Sequence, residues 1–227
     1  MKKVFAIALV LCLVFGAAFA DKGKLEVGAR AGYAEEFFQL EYAKDLYSMK
    51  FAAVQPAFNV TASASYGLSD SLAFKAAIGA NFNGKVKSQL TVNGVSGDPD
   101  TASEATPANF NFYLGAEYGL SLSRSFELVG GLGADIMMGK QSCADGETSN
   151  TRIGFGVEVI GKYIINKNIK INLGGKFAVH FLNTGDKTTA SVVRTIDTYT
   201  KLVDLSGGKV SHFQGAFAVF AGVTYVL

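Results

Sequence analysis

The chain has 227 residues, with 21 Lys and Arg against 19 Asp and Glu, 26 glycines, 18 phenylalanines, three prolines, two cysteines and no tryptophan. Lys2 and Lys3 account for the whole excess of positive charge, so the rest of the chain is formally neutral and offers no basic surface to a nucleic acid. After the N-terminal segment there is no apolar run of the ~20 residues that a spanning helix needs, which excludes a helical membrane protein.

The first twenty residues read as a cleaved signal peptide. Lys2 and Lys3 form a positive start, Val4 to Phe15 is apolar, and Ala18 and Ala20 give the small-residue pattern of a cleavage site. Leu11 is too bulky before Cys12 for a lipoprotein signal. Residues 21–227 are then expected to form one domain, with Cys143 its single cysteine and no disulfide framework.

From Leu25 onward the chain alternates. Val27, Ala29, Ala31 and Tyr33 are apolar between Glu26 and Arg30. Phe58, Val60, Ala62, Ala64 and Tyr66 alternate with Asn59, Thr61, Ser63 and Ser65. Leu72 to Phe82 and Phe110 to Tyr118 follow the same rule, as do Phe126 to Ile136, Ile153 to Tyr163, Ile169 to Phe181 and Phe213 to Tyr225. A period of two marks strands with unlike faces, and all eight apolar faces are free of charge.

Short connections (Gly67–Ser71, Ser121–Ser125, Ile164–Asn168) alternate with long ones, roughly Glu35–Lys50, Gly84–Pro107, Gly139–Asn150 and Leu182–Lys209. That sorting predicts an all-β, eight-stranded, antiparallel up-and-down transmembrane barrel rather than a soluble sandwich, with short periplasmic turns and long extracellular loops. A closed barrel also gives every backbone group in lipid a partner. Phe58/Tyr66, Phe110/Tyr118, Phe155/Tyr163 and Phe217/Tyr225 are each spaced by eight residues, or ~26 Å of strand. They are expected to form two aromatic girdles, with the tyrosines at the periplasmic interface. Val192–Tyr199 carries charge on both parities and is placed above the membrane, not in a ninth strand.

The ending Gly222-Val223-Thr224-Tyr225-Val226-Leu227 resembles the C-terminal β-signal of outer-membrane proteins, through Gly222, Tyr225 and Leu227. Phe220 stands where that pattern has a polar residue. The chain as a whole resembles the small barrels of the OmpX, OmpA-transmembrane-domain and OmpW type. The resemblance implies outer-membrane lipid and the barrel assembly machinery as partners, an unidentified extracellular ligand, a monomer, and no cofactor or metal.

The inward faces gather Arg30, Lys75, Arg152, Lys162, Lys170 and Lys176 against Glu26, Glu117, Glu127, Asp135 and Glu158. An eight-stranded interior is just wide enough for side chains to fill, so these predict an ion-pair network rather than a pore. Catalysis is not expected. Ser211 and His212 are adjacent on a strand and face opposite ways, and only two histidines are available as bases. A surface-interaction role through the loops is favoured over an OmpW-like conduit for small hydrophobic molecules. If Val226 pairs near Asn166, paired residues sum to 392, and His180 and His212 face each other at the mouth, first as a cross-strand polar pair capping the lumen and, as the sharper alternative, as a pH-sensitive latch.

Overall fold

The computed structural model describes residues 23–44, 47–105, 108–143, 146–185 and 209–227. The expected signal peptide (residues 1–20) and the Val192–Tyr199 segment lie outside them. Eleven strands run in chain order: β1 Leu25–Lys44, β2 Tyr47–Gly67, β3 Leu72–Asn83, β4 Lys85–Val92, β5 Val95–Ser96, β6 Asp100–Ala105, β7 Asn109–Ser123, β8 Phe126–Cys143, β9 Gly146–Ile164, β10 Ile169–Gly185 and β11 Lys209–Val226.

Eight of them close a ring. Each of β1, β2, β3, β7, β8, β9, β10 and β11 pairs antiparallel with the next, and β11 returns to β1 from Glu26↔Val226 to Ala43↔Lys209. At one end the strands are joined by tight turns built on side-chain caps. Ser69 Oγ accepts from Leu72 N at 3.1 Å, and Asn166 Oδ1 accepts from Asn168 N and Ile169 N at 2.9 Å each. Ser and Asn side chains stand in for backbone acceptors here, which is why such residues favour turns.

At the other end the expected loops are largely strand. Glu35–Lys50 is a continuation of β1 and β2, whose pairing reaches Lys44↔Tyr47. Gly139–Asn150 continues β8 and β9 to Cys143↔Gly146, so Cys143 ends a strand. Gly84–Pro107 contains β4, β5 and β6, with β4 pairing to the upper part of β2. Asn93 and Gly94 turn β4 into β5 with φ of 49° and 79°, the doubly left-handed conformation of a tight hairpin. Of the fourth long connection, β10 extends to Gly185 and β11 begins at Lys209. The protein is thus a barrel with a crown of protruding hairpins at one end.

Polarity is inverted relative to a soluble barrel. Phe58, Leu114, Tyr118, Leu132, Phe155, Val159 and Leu173 point outward and are more than half exposed, whereas Glu158 and Asp135 are the largest fully buried side chains among the described residues. The inward apolar cluster is small: Val129, Ile160 and Phe220. The register places the eight aromatic residues expected to form girdles at the two ends of the ring. Tyr66 lies opposite Leu25 and Phe74, Tyr118 opposite Leu72, Tyr163 opposite Phe126, and Tyr225 opposite Val27 and Ile169, all at the tight-turn end. Phe58 opposes Tyr33 and Phe82, Phe110 opposes Met138, Phe155 opposes Val179 and Phe217 opposes Phe177, at the crown end.

Candidate functional site

The lumen is filled in layers by side chains that strand alternation turns inward. Nearest the tight turns, Lys162 and Lys170 each donate to Glu26 at 2.6 Å, and Lys170 also donates to Glu127 at 2.8 Å. Above them the Arg30 guanidinium forks onto Glu158 at 2.5 and 3.2 Å. Lys75 bridges Glu158 at 2.6 Å and Glu117 at 2.7 Å. Ser65 donates to the second oxygen of Glu117 at 2.9 Å.

This second layer accounts for Phe220, the residue that departs from the terminal pattern. Its ring points into the lumen and sits 4.1 Å from the Arg30 guanidinium carbon, a cation–π contact in a water-poor site. Gly222, two residues on, lies opposite Arg30. Tyr225 faces outward between β1 and β10, and the Leu227 amide donates to the Leu25 carbonyl at 2.8 Å, which helps close the ring.

The third layer joins Asp135 to Lys176 and to His180, whose Nε2 lies 3.1 Å from Asp135 Oδ1. Tyr113 fills the centre, its ring 5.1 Å from the Lys176 ammonium and 5.9 Å from that of Lys75. Gly156 leaves the room for this layer. A Cβ there would lie 3.2 Å from Lys176 Cε and 3.3 Å from the Tyr113 ring.

The fourth layer turns on Glu36, which keeps the inward parity of Glu26 and Arg30 but lies in the stretch expected to be a loop. Glu36 accepts from Arg152 at 2.5 Å, from Asn109 at 2.8 Å and from Asn81 at 3.1 Å. Asn81 in turn accepts from Asn59 at 2.6 Å and from Asn111 at 3.1 Å. All eleven charged residues expected inside therefore have opposite-charge partners, with Glu36 completing the set for Arg152.

The histidine latch is corrected by the register. Val226 N donates to Asn168 O at 2.7 Å, not to the neighbourhood of Asn166, so β10 and β11 pair with a sum of 394. His180 lies opposite Gln214, and His212 lies opposite Leu40 of β1. The two histidines are not cross-strand partners, and the like-charge opposition that the latch required is absent.

Among the described residues, one small cavity of about 20 Å³ lies beside Glu26, Ser63 and Lys162, and another of about 30 Å³ beside Asn59, Tyr113 and Lys176. The layer of Arg30 and Phe220 lines both. Each has room for about one or two waters.

The outer membrane protein beta-barrel domain family matches residues 6–195. No curated protein is a match in sequence. Among solved structures, Neisserial surface protein A is similar at 15% identity and a TM-score of 0.52, over 90% of this chain and 99% of its own. The N-terminal β-barrel domain of Pseudomonas aeruginosa OprF is 11% identical with a TM-score of 0.49, over 90% of this chain and 98% of its own. OprG of the same organism is 12% identical with a TM-score of 0.45, over 90% and 96%.

Proposed function

The chain belongs to the outer membrane protein β-barrel family, and from that premise we propose that it is a non-enzymatic surface protein of the outer membrane that acts through its crown. The observation that carries this reading is the filled lumen. Four layers of paired charge separate the two ends, and the two cavities described among them have room for only one or two waters each. A conduit for small hydrophobic molecules would need an apolar passage, so the interior favours a scaffold over a channel. The tight turns then face the periplasm and the hairpins of β1/β2, β4–β6 and β8/β9 face outside, where exposed backbone and varied side chains suit recognition. Orphan catalytic chemistry is disfavoured, because His180 is buried and engaged by Asp135.

Planar-bilayer recording of the refolded protein tests this directly. No conductance steps are expected above the bare bilayer, together with binding of the intact protein to host-cell or matrix surfaces that is lost when residues 85–105 are replaced by a short Gly-Ser turn. Stable conductance steps from the native chain would overturn the plugged-scaffold reading.

A further inference from the structure

β2 and β3 pair with a sum of 140 as far as Ala57↔Asn83, whereas β2 and β4 pair with a sum of 141 from Val54↔Lys87. Between those pairs, Gly84, Lys85 and Val86 stand opposite only Gln55 and Pro56, which is a β-bulge. Its cause is local. Pro56 has no N–H to offer, its carbonyl accepts from Gly84 N at 2.7 Å, and Gln55 Nε2 caps the Gly84 carbonyl at 3.1 Å.

The bulge has a consequence for charge. With unbroken pairing Lys85 would lie opposite Gln55 and Lys87 opposite Ala53, both on the lumen face. One extra residue flips every side chain beyond it. Lys87 is instead paired with Val54 on the outward face, and Lys85, within the bulge itself, is exposed as well. Unlike every lysine in the lumen, neither has an ion-pair partner among the described residues. Lys50 lies on the same face farther up β2 but is held by Glu41 at 3.2 Å.

Immediately below sit Phe58 and Phe82, cross-strand partners that are each 55% exposed on the lipid face. Lys85 is three residues beyond Phe82, about 10 Å along the strand and about 8 Å in height once the strand is tilted by ~40°. The headgroup zone on each side of the hydrocarbon is about 5–8 Å deep. Lys85 therefore stands at phosphate height above an aromatic floor; the backbone of Lys87, two residues on, is about 5 Å higher, a distance its four-carbon side chain can span by reaching down toward the same phosphate.

We propose that Lys85 and Lys87 bind the phosphate of an anionic outer-leaflet lipid headgroup, whose acyl chains lie against Phe58 and Phe82. This rests on the orientation proposed above, with the crown outside. Two unpaired cations just above an apolar belt complement a lipid that is anionic at its head and apolar below. A soluble partner would have no use for that floor.

The test uses the full folded chain in vesicles of phosphatidylcholine containing one-fifth diphosphoryl lipid A, with retained lipid counted by native mass spectrometry. The protein should retain lipid A over phosphatidylcholine. K85Q/K87Q should lower that preference by about thirtyfold, the combined effect of two lysines at an anionic surface. K85R/K87R should keep it, and K167Q, which removes a charge at the opposite end, should leave it within about twofold. Heat-modifiable mobility on gels verifies that each variant is folded. Unchanged preference in K85Q/K87Q, equal retention of dephosphorylated lipid A, or displacement by inorganic phosphate at equal concentration would overturn the assignment. A native chain that enters no vesicle would overturn the membrane reading as well, whereas insertion without lipid preference overturns this proposal alone.

Discussion

Glu158 and Val159 are neighbours on β9, and their surroundings are opposite. The Glu158 side chain has no solvent exposure and is gripped by Arg30 and Lys75, while Val159 is 54% exposed on the outer wall. The same contrast separates Glu117 from Tyr118 and Lys162 from Tyr163. In a soluble barrel water rewards the polar outside, and the inside is held by apolar burial. Here lipid covers the outside, so apolar side chains gain nothing by turning inward, and the interior is free to be held by matched charge. A buried ion pair is poor evidence of net stability, because desolvation offsets much of its attraction. Its worth lies in register: each lumen charge has partners only if all eight strands keep their alignment.

Breaking one partner should therefore give the largest effect. Glu158→Ala leaves Arg30 without its acceptor and Lys75 with only Glu117, and should destabilise the folded barrel by about 3–5 kcal/mol. Urea titration of the micelle-bound protein, followed by the fraction of gel-shifted folded form, measures it. A loss below about 1 kcal/mol would mean that water reaches this layer and screens it.

The outer face should be nearly as sensitive. Ala62 lies midway between Phe58 and Tyr66 and points outward, so Ala62→Arg should cost about 2–4 kcal/mol at the midplane. Ser63→Asn, one residue on, enters the polar lumen beside the smaller cavity and should stay within about 1 kcal/mol. Equal damage from both in the same titration would invert the assignment of faces on β2.

The fourth layer sharpens the comparison within the lumen. Glu36→Gln preserves shape and can still accept from Asn81 and Asn109, but it leaves Arg152 uncompensated. Arg152 lies nearer the crown, where a long side chain can lift its charge toward water. The expected cost is about 1–3 kcal/mol, smaller than for Glu158, and Arg152→Met in the same background should recover part of it.

Where sequence periodicity was informative, one face met lipid and the other did not. Val27, Ala29, Ala31 and Tyr33 reveal β1, yet the alternation dissolves at Glu35-Glu36 although the hydrogen-bonded ladder continues to Lys44. Glu36 keeps the inward parity of Glu26 and Arg30 and is buried, as is Leu40, but Glu35 puts a charge on the outward parity and Leu40 an apolar residue on the inward one, so the signal vanishes while the strand persists. That is why Glu36 was missed and why the hairpins looked like loops. The histidine register failed for a different reason. A one-residue slip exposes every inward charge to lipid and is visible in the pattern, whereas a slip of two keeps each side chain on its face. Sums of 392 and 394 are therefore equivalent to hydropathy, and only the turn at Asn166–Ile169 distinguishes them. The Gly84 bulge was invisible too, because β4 has polar residues on both faces.

The smallest effect is expected where the same chemistry is lifted out of the barrel. Lys50 and Glu41 form a cross-strand ion pair at 3.2 Å on the crown, with both side chains 46% exposed, and Gln39 also donates to Glu41 at 2.7 Å. By distance alone this pair differs little from Lys75–Glu117 at 2.7 Å, whose side chains are each 4% exposed. The surroundings differ: water solvates either partner when the other is removed, and salt screens their attraction. Glu41→Gln should therefore change stability by less than about 1 kcal/mol, and 1 M salt should erase the difference from the native chain. Glu117→Gln should remain costly at the same salt concentration, because Lys75 and Glu117, each 4% exposed, are out of reach of bulk solvent and its ions. A Glu41→Gln loss as large as that of Glu117→Gln would show that the crown is as dry as the lumen, and that the distinction between barrel and hairpins is drawn in the wrong place.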